Sequence, residues 1–97
     1  NHSYSNAEIF AEGVRQLDLG PIVGIPTAGS VIGTSAVRLL DGSGFRKPSW
    51  GAFTLDGENL ENIGRKPDFH VENSYNHWMA GDDPQLRKAV EELLKGL

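Results

Sequence analysis

Apolar positions recur at a helical period in two places along the chain. Ile9, Phe10, Val14 and Leu17 fall on one face directly after the polar run that ends at Ser5-Asn6, which predicts a helix over 5–17. Ser and Asn are favoured N-caps, because their side-chain oxygens accept from unpaired first-turn N–H groups. Gly13 lies mid-helix, where it costs about 1 kcal/mol against Ala, and this predicts close packing at that point. Asp18-Leu19-Gly20-Pro21 supplies the stop. The second amphipathic stretch follows Asp82-Asp83-Pro84, an N-cap with Pro at the first helical position. Leu86, Val90, Leu93, Leu94 and Leu97 share one face there, with Glu91 and Lys95 four apart in the favourable order. A surface helix over 84–95 is expected, packing that stripe on a sheet.

Between the helices the pattern changes to short apolar runs bounded by breakers. Residues 21–26 (Pro-Ile-Val-Gly-Ile-Pro) predict a short buried strand. Residues 27–34 hold two glycines among small side chains and predict a loop with close backbone approach. Residues 36–40 predict a strand, Asp41-Gly42 a turn, and 45–55 the return strand, with a bulge or an edge position where Pro48 and Gly51 interrupt it. Asp56-Gly57 is a second turn. Trp50 and Phe53 near this meander predict core or cleft wall. Phe69-His70-Val71-Glu72 alternates as a short strand, and 73–81 reads as a polar loop in which His77-Trp78-Met79 caps the core. Helix, strand, meander, strand and helix in this order predict an α/β layer.

Length and composition narrow the classes. Ninety-seven residues leave room for one small domain with a modest core. With 38% hydrophobic and 23% charged residues the composition is globular. The formal charge of −4, with no basic run longer than two residues, argues against a nucleic-acid partner. No apolar run approaches the roughly 20 residues of a membrane span. The chain contains no cysteine, so disulfide and thiolate chemistry are excluded, and either redox compartment suits it. It opens without Met immediately before a helix, which suggests the C-terminal piece of something longer.

Ser5 admits two readings from the residues alone. One is an ordinary N-cap. The other is a nucleophile at a helix mouth, where free N–H groups and the positive end of the helix dipole favour an oxyanion. Metal chemistry has less support: His70, Glu72 and His77 match no standard zinc spacing, and no metal or other cofactor is expected. Of two loop acids, Glu58 and Glu61, neither is preferred on residue type.

Five stretches, in order, resemble the C-terminal processing (tail-specific) serine peptidases, and the tricorn branch most. They are carried by Asn1, Ser5, Glu8, Ile9, Phe10 and Ala11; by Val23, Gly24, Thr27 and Gly29; by the two Asp-Gly turns; by Glu61, Asn62, Gly64, Pro67 and Asp68; and by Gly81 with Asp83 to Leu86. The resemblance implies the C-terminal part of a ClpP/crotonase-like α/β catalytic domain acting on a peptide or protein substrate. Ser5 would be the nucleophile, the Asn6 N–H an oxyanion donor, and Glu61 a supporting carboxylate. Ser-Lys members carry a catalytic lysine twenty-five positions after the nucleophile. Ser30 stands there, and a hydroxyl cannot replace an amine of lowered pKa as the base. The tricorn branch also lacks that lysine and draws a histidine and a second oxyanion donor from upstream. His2 matches no such histidine, and with His70 and His77, which follow the strand and loop after Glu61, it is only a minor candidate for the base, so the piece alone is expected to be inactive. A binding or assembly module of the same fold is the alternative, and a crotonase-like acyl-CoA enzyme a third class. With the upstream partner segment absent, an exposed apolar patch, and with it homo-oligomerisation or strand exchange, is expected. Many relatives are exported, which gives the only indication of compartment.

Overall fold

In the computed structural model, which describes residues 3–96, seven elements follow one another. They are α1 (Asn6–Gln16), β1 (Val23–Gly24), β2 (Ile32–Arg38), β3 (Gly44–Gly51), β4 (Phe69–His70), α2 (Tyr75–Ala80) and α3 (Pro84–Lys95). The strands form two separate pairs: β1 parallel to β4, and β2 antiparallel to β3. The mixed α/β class expected from the alternation of patterns is present, with shorter strands than the apolar runs suggested.

α1 lies where its periodicity places it. Gly13 does not mark close packing: a methyl added there would meet nothing within 4 Å, and the residue instead borders an open apolar recess. The run 21–26 contributes only two strand residues, because Pro21 and Pro26 lack ladder donors and Gly24 takes a φ of 144°. Asp68 strengthens this short pairing. Its carboxylate accepts from the Ile22 N–H at 2.8 Å, while its own N–H donates to the Ile22 carbonyl at 2.8 Å.

The hairpin begins four residues earlier than the sequence suggests, at Ile32. Its register slips by one between Gly33, opposite Trp50, and Thr34, opposite Pro48. Ser49 is thus the extra residue, a bulge beside the proline that cannot donate to the ladder. The turn follows Asp-Gly chemistry: Asp41 accepts from the Ser43 N–H at 2.9 Å, and Gly42 has φ 85°. The second turn, at Asp56-Gly57, closes between Thr54 and Glu58.

Residues 73–81 are not a loop. Ser74 accepts from the His77 N–H, the His77 ring accepts from the Ser74 N–H at 3.2 Å, and Gly81 ends the turn in the left-handed region. A serine cap and a glycine stop thus enclose the six-residue α2, too short to show an apolar period. Trp78 and Met79 are exposed and do not cap a core. In α3, Asp83 caps and Pro84 opens the helix as expected. Its apolar stripe, Leu86, Val90, Leu93 and Leu94, is exposed and packs on no sheet of this chain; Leu97 lies outside the described residues. α3 is held against the β1–β4 pair by contacts of its polar face instead. Gln85 donates to the Val71 carbonyl at 2.9 Å, and the Lys88 ammonium lies 4.9 Å from the Phe69 ring centroid.

Among the described residues, the buried apolar side chains are Val31 and Leu60, while Glu8, Glu12 and Arg65 are buried as well. The radius of gyration is 17.3 Å, against about 12.5 Å for a compact chain of this length. The molecule is a flat, open layer with a small polar centre. No helix is long and apolar enough to cross a membrane.

Candidate active site

The centre is where α1 meets two loops, residues 27–31 and 58–65. Ser5 stands immediately before α1 with φ 55° and ψ −124°, outside the region serines ordinarily occupy. Its hydroxyl makes no capping hydrogen bond, and the residue is exposed. Its N–H donates to the Ser30 carbonyl at 2.9 Å and to Glu8 Oε1 at 3.3 Å. Asn6, the first helical residue, has an N–H without a partner among the described residues, as the opening of a helix provides. Ser5 and Asn6 border a cleft of about 190 Å³, walled by Ile9, Val31, Ile32, Gly33, Thr34, Arg46 and Trp50. Trp50 lies flat over Gly33, where a methyl would stand inside the indole. It is cleft wall, one of the two roles its sequence context suggests. Phe53 lines a separate recess of about 280 Å³ against α1.

Glu61 and Glu58, equivalent as loop acids, part company in space. Glu61 Oε2 accepts from the Val31 N–H at 2.5 Å. It is therefore fastened to the residue that follows Ser30, whose carbonyl holds Ser5. Glu58 turns to Arg65 instead, 3.0 Å from Nη1. Arg65 also pairs with Glu12 of α1 at 3.3 Å and donates from Nε to the Gly64 carbonyl at 3.0 Å. Burial opposes the charge on Arg65, but the hydrogen bonds to Glu58 and Glu12 raise its pKa above the ordinary value. The 58–65 loop is thereby tied to the flank of α1.

Glu8, to which the sequence reading assigns no role, is the most buried side chain at this centre, with 0% of its surface exposed. Four donors converge on it: the Ser5 N–H, the Gly29 N–H at 2.8 Å, the Ser30 N–H at 2.8 Å and the Thr27 hydroxyl. Burial alone would raise the Glu8 carboxyl. The donors, Thr27 foremost, outweigh it and hold the group below the ordinary carboxylate value. The one sequence signal was its position, three residues after a serine cap, where a glutamate completes a capping box.

The two loops lock through backbone. Asn62, at φ 64°, donates from its N–H to the Gly29 carbonyl at 2.7 Å, and the Thr27 N–H donates to the Arg65 carbonyl at 3.0 Å. Gly29 and Gly64 both have positive φ. A methyl on Gly64 would come within 2.5 Å of the Thr27 carbonyl oxygen, so the close approach expected of 27–34 is with this loop.

None of the histidines among the described residues lines the Ser5 cleft: His70 pairs in β4, and His77 closes the cap of α2. His2 lies outside the described residues. Among the described residues no three His, Asp or Glu side chains gather as metal ligands.

A family model described as peptidase family S41 matches residues 1–71. The tricorn protease homolog 1 of Streptomyces coelicolor is 39% identical over 98 residues, covering 98% of this chain and 9% of that protein. Among solved structures, the tricorn protease superposes with a TM-score of 0.87 at 31% identity, over 97% of this chain and 9% of that one. The photosystem II D1 C-terminal processing protease superposes with a TM-score of 0.64 at 28% identity, over 72% of this chain and 18% of the other. The chain thus spans about a tenth of the length of the curated relatives it matches. The α/β layer described above is the shared fold.

Proposed function

Because the chain belongs to peptidase family S41, as the match over residues 1–71 establishes, we propose that it carries the nucleophilic part of a serine-peptidase active site. In this reading Ser5 Oγ attacks the carbonyl carbon of a peptide substrate. Its proton passes to an imidazole supplied from outside this segment. The tetrahedral intermediate expels the amine, which takes that proton, and leaves an acyl ester on Ser5. Water then hydrolyses the ester and regenerates the hydroxyl. The carbonyl oxygen gathers negative charge in both steps. The Asn6 N–H, at the positive end of α1, supplies one donor, and such a donor is worth about 3 kcal/mol of transition-state stabilisation. A second donor also comes from outside the segment. Glu61 acts by orienting the polar groups around the serine through its contact with the loop residue Val31.

The observation that carries this reading is the conformation of Ser5. An ordinary cap has an extended backbone and bonds its hydroxyl to a first-turn N–H, whereas Ser5 stands at positive φ in an exposed turn at the edge of a cleft, its hydroxyl beside the Glu8 N–H in a capping box but without a full hydrogen bond to it. The strained turn that presents a nucleophilic serine before a helix in other hydrolases has the same logic. Ser30, at the position of the lysine in Ser-Lys members, keeps an amine base out of the mechanism. The partners are a peptide or protein substrate and the remainder of the catalytic domain. This segment forms the C-terminal part of that domain and lacks activity by itself.

The test is a serine-directed fluorophosphonate applied to the full-length protein. Covalent labelling mapped to Ser5, with peptide hydrolysis lost in Ser5→Ala, is the expected result. Folded full-length protein that takes up no label would overturn the assignment and leave a binding module. The exposed apolar faces of α3 and the hairpin are the features that favour that second reading.

A further inference from the structure

We propose that Glu8 is a positioning residue for the reaction at Ser5: an ionised, water-excluded carboxylate that fixes the main chain of the nucleophile and the loop beside it in one arrangement. The inference rests on the reading of Ser5 as nucleophile.

The carboxylate has four approaches, and all four are made by donors. Oε1 receives the N–H groups of Ser5 and Ser30, and Oε2 receives the Gly29 N–H and the Thr27 hydroxyl. The direction of the Thr27 hydroxyl is set from behind. The Arg65 N–H donates to Thr27 Oγ1 at 2.7 Å, so the hydroxyl proton points to Glu8. Every neighbour therefore requires an acceptor. A glutamine of the same shape would turn an NH2 group toward two donors, and a protonated acid would turn an O–H toward one.

What this junction controls is specific. Ser5 keeps a positive φ, which a serine holds only where its surroundings over-determine it. Two of the fixing contacts are on its own N–H: one to Glu8 and one to the Ser30 carbonyl, whose residue Glu8 also holds. The next N–H along, that of Val31, reaches Glu61. One buried carboxylate thus links the proposed nucleophile to the proposed supporting acid through a single loop. With Glu8 neutralised or its donors reduced, Ser5 relaxes and the Asn6 N–H turns with it. The substrate cleft, walled by other residues, keeps its shape. The expected defect is therefore in the rate of bond formation and not in binding.

The experiment uses the full-length protein and follows inactivation by a fluorophosphonate, separating the maximal rate from the half-saturating concentration. Glu8→Gln is expected to lower the maximal rate at least tenfold, with half-saturation within twofold of the parent. Thr27→Val, which removes one donor and keeps the charge, is expected to lower it severalfold with the same split, and decides the matter if Glu8→Gln fails to fold. Amide hydrogen exchange at Ser5, Gly29 and Ser30 should quicken in both variants while α3 is unaffected. Folded variants that react at the parental rate with unchanged exchange would overturn the role of Glu8 while leaving Ser5 as nucleophile. A parent protein that takes no label would overturn the nucleophile itself; the clamp would then stand or fall on the exchange data alone.

Discussion

Two halves of the molecule are built in opposite ways. Around α1 and the loops 27–31 and 58–65, charged side chains are buried and every one has partners: Glu8 has four donors, and Arg65 has two carboxylates and a carbonyl. Among the described residues, the β2–β3 hairpin and α3 contain no buried charge, and their apolar side chains are exposed: Phe45, Leu86, Leu93 and Leu94 each show more than half their surface, as do Phe10 on α1 and Leu17 at its C-cap. The difference separates the source of geometry from the source of stability. Directional hydrogen bonds fix the geometry around Ser5, whereas the apolar faces of the hairpin and α3 contribute little buried area among the described residues.

The comparison breaks most sharply at Arg65. Arg65→Ala leaves the buried Glu12 without a countercharge, with only its Gln16 hydrogen bond at 2.7 Å, and should destabilise the protein by about 3 kcal/mol in chemical denaturation. A loss below about 1 kcal/mol would show that the polar centre is not integral. Gly64→Ala follows, with an expected cost of about 2–3 kcal/mol, because the new methyl meets the Thr27 carbonyl and alanine resists the positive φ. Acid should act on the same half. The folded pKa of Glu8 lies below its ordinary, unfolded value, so its contribution is complete at neutral pH. It fades as pH falls through that value toward the folded one, and Glu8→Gln should flatten this part of the stability profile. The smallest effect belongs to the other half. Lys95→Ala removes contacts to Glu91 and Glu92 on an exposed helix surface and should leave Tm unchanged.

The helices were legible because their signals are local. A cap, a proline at the first position and an apolar period placed α1 and α3 to within a residue or two. The six residues of α2 escaped, since two turns give no period to read, although Ser74 and Gly81 bounded them. The strands were overdrawn, because prolines and glycines cut pairing within runs that are apolar throughout. The exposed stripe of α3 is amphipathic as read; what covers it is not encoded in its own residues. At the site, Ser5, Asn6 and Glu61 were named through resemblance, and on residue type alone Glu61 was not separable from Glu58. Glu8 is among the matching residues, but the resemblance assigns it no role. A charged side chain in a first helical turn ordinarily faces water, and only the folded loop reveals that this one is enclosed.

One consequence follows from the indole laid over Gly33. Trp50 forms part of the wall beside Ser5, and the other tryptophan of the chain, Trp78, stands apart on α2. Any molecule entering the cleft must exchange the water against that ring for its own atoms. The emission of Trp50, isolated by Trp78→Phe, therefore provides an intrinsic optical gauge of occupancy that needs no turnover to be read.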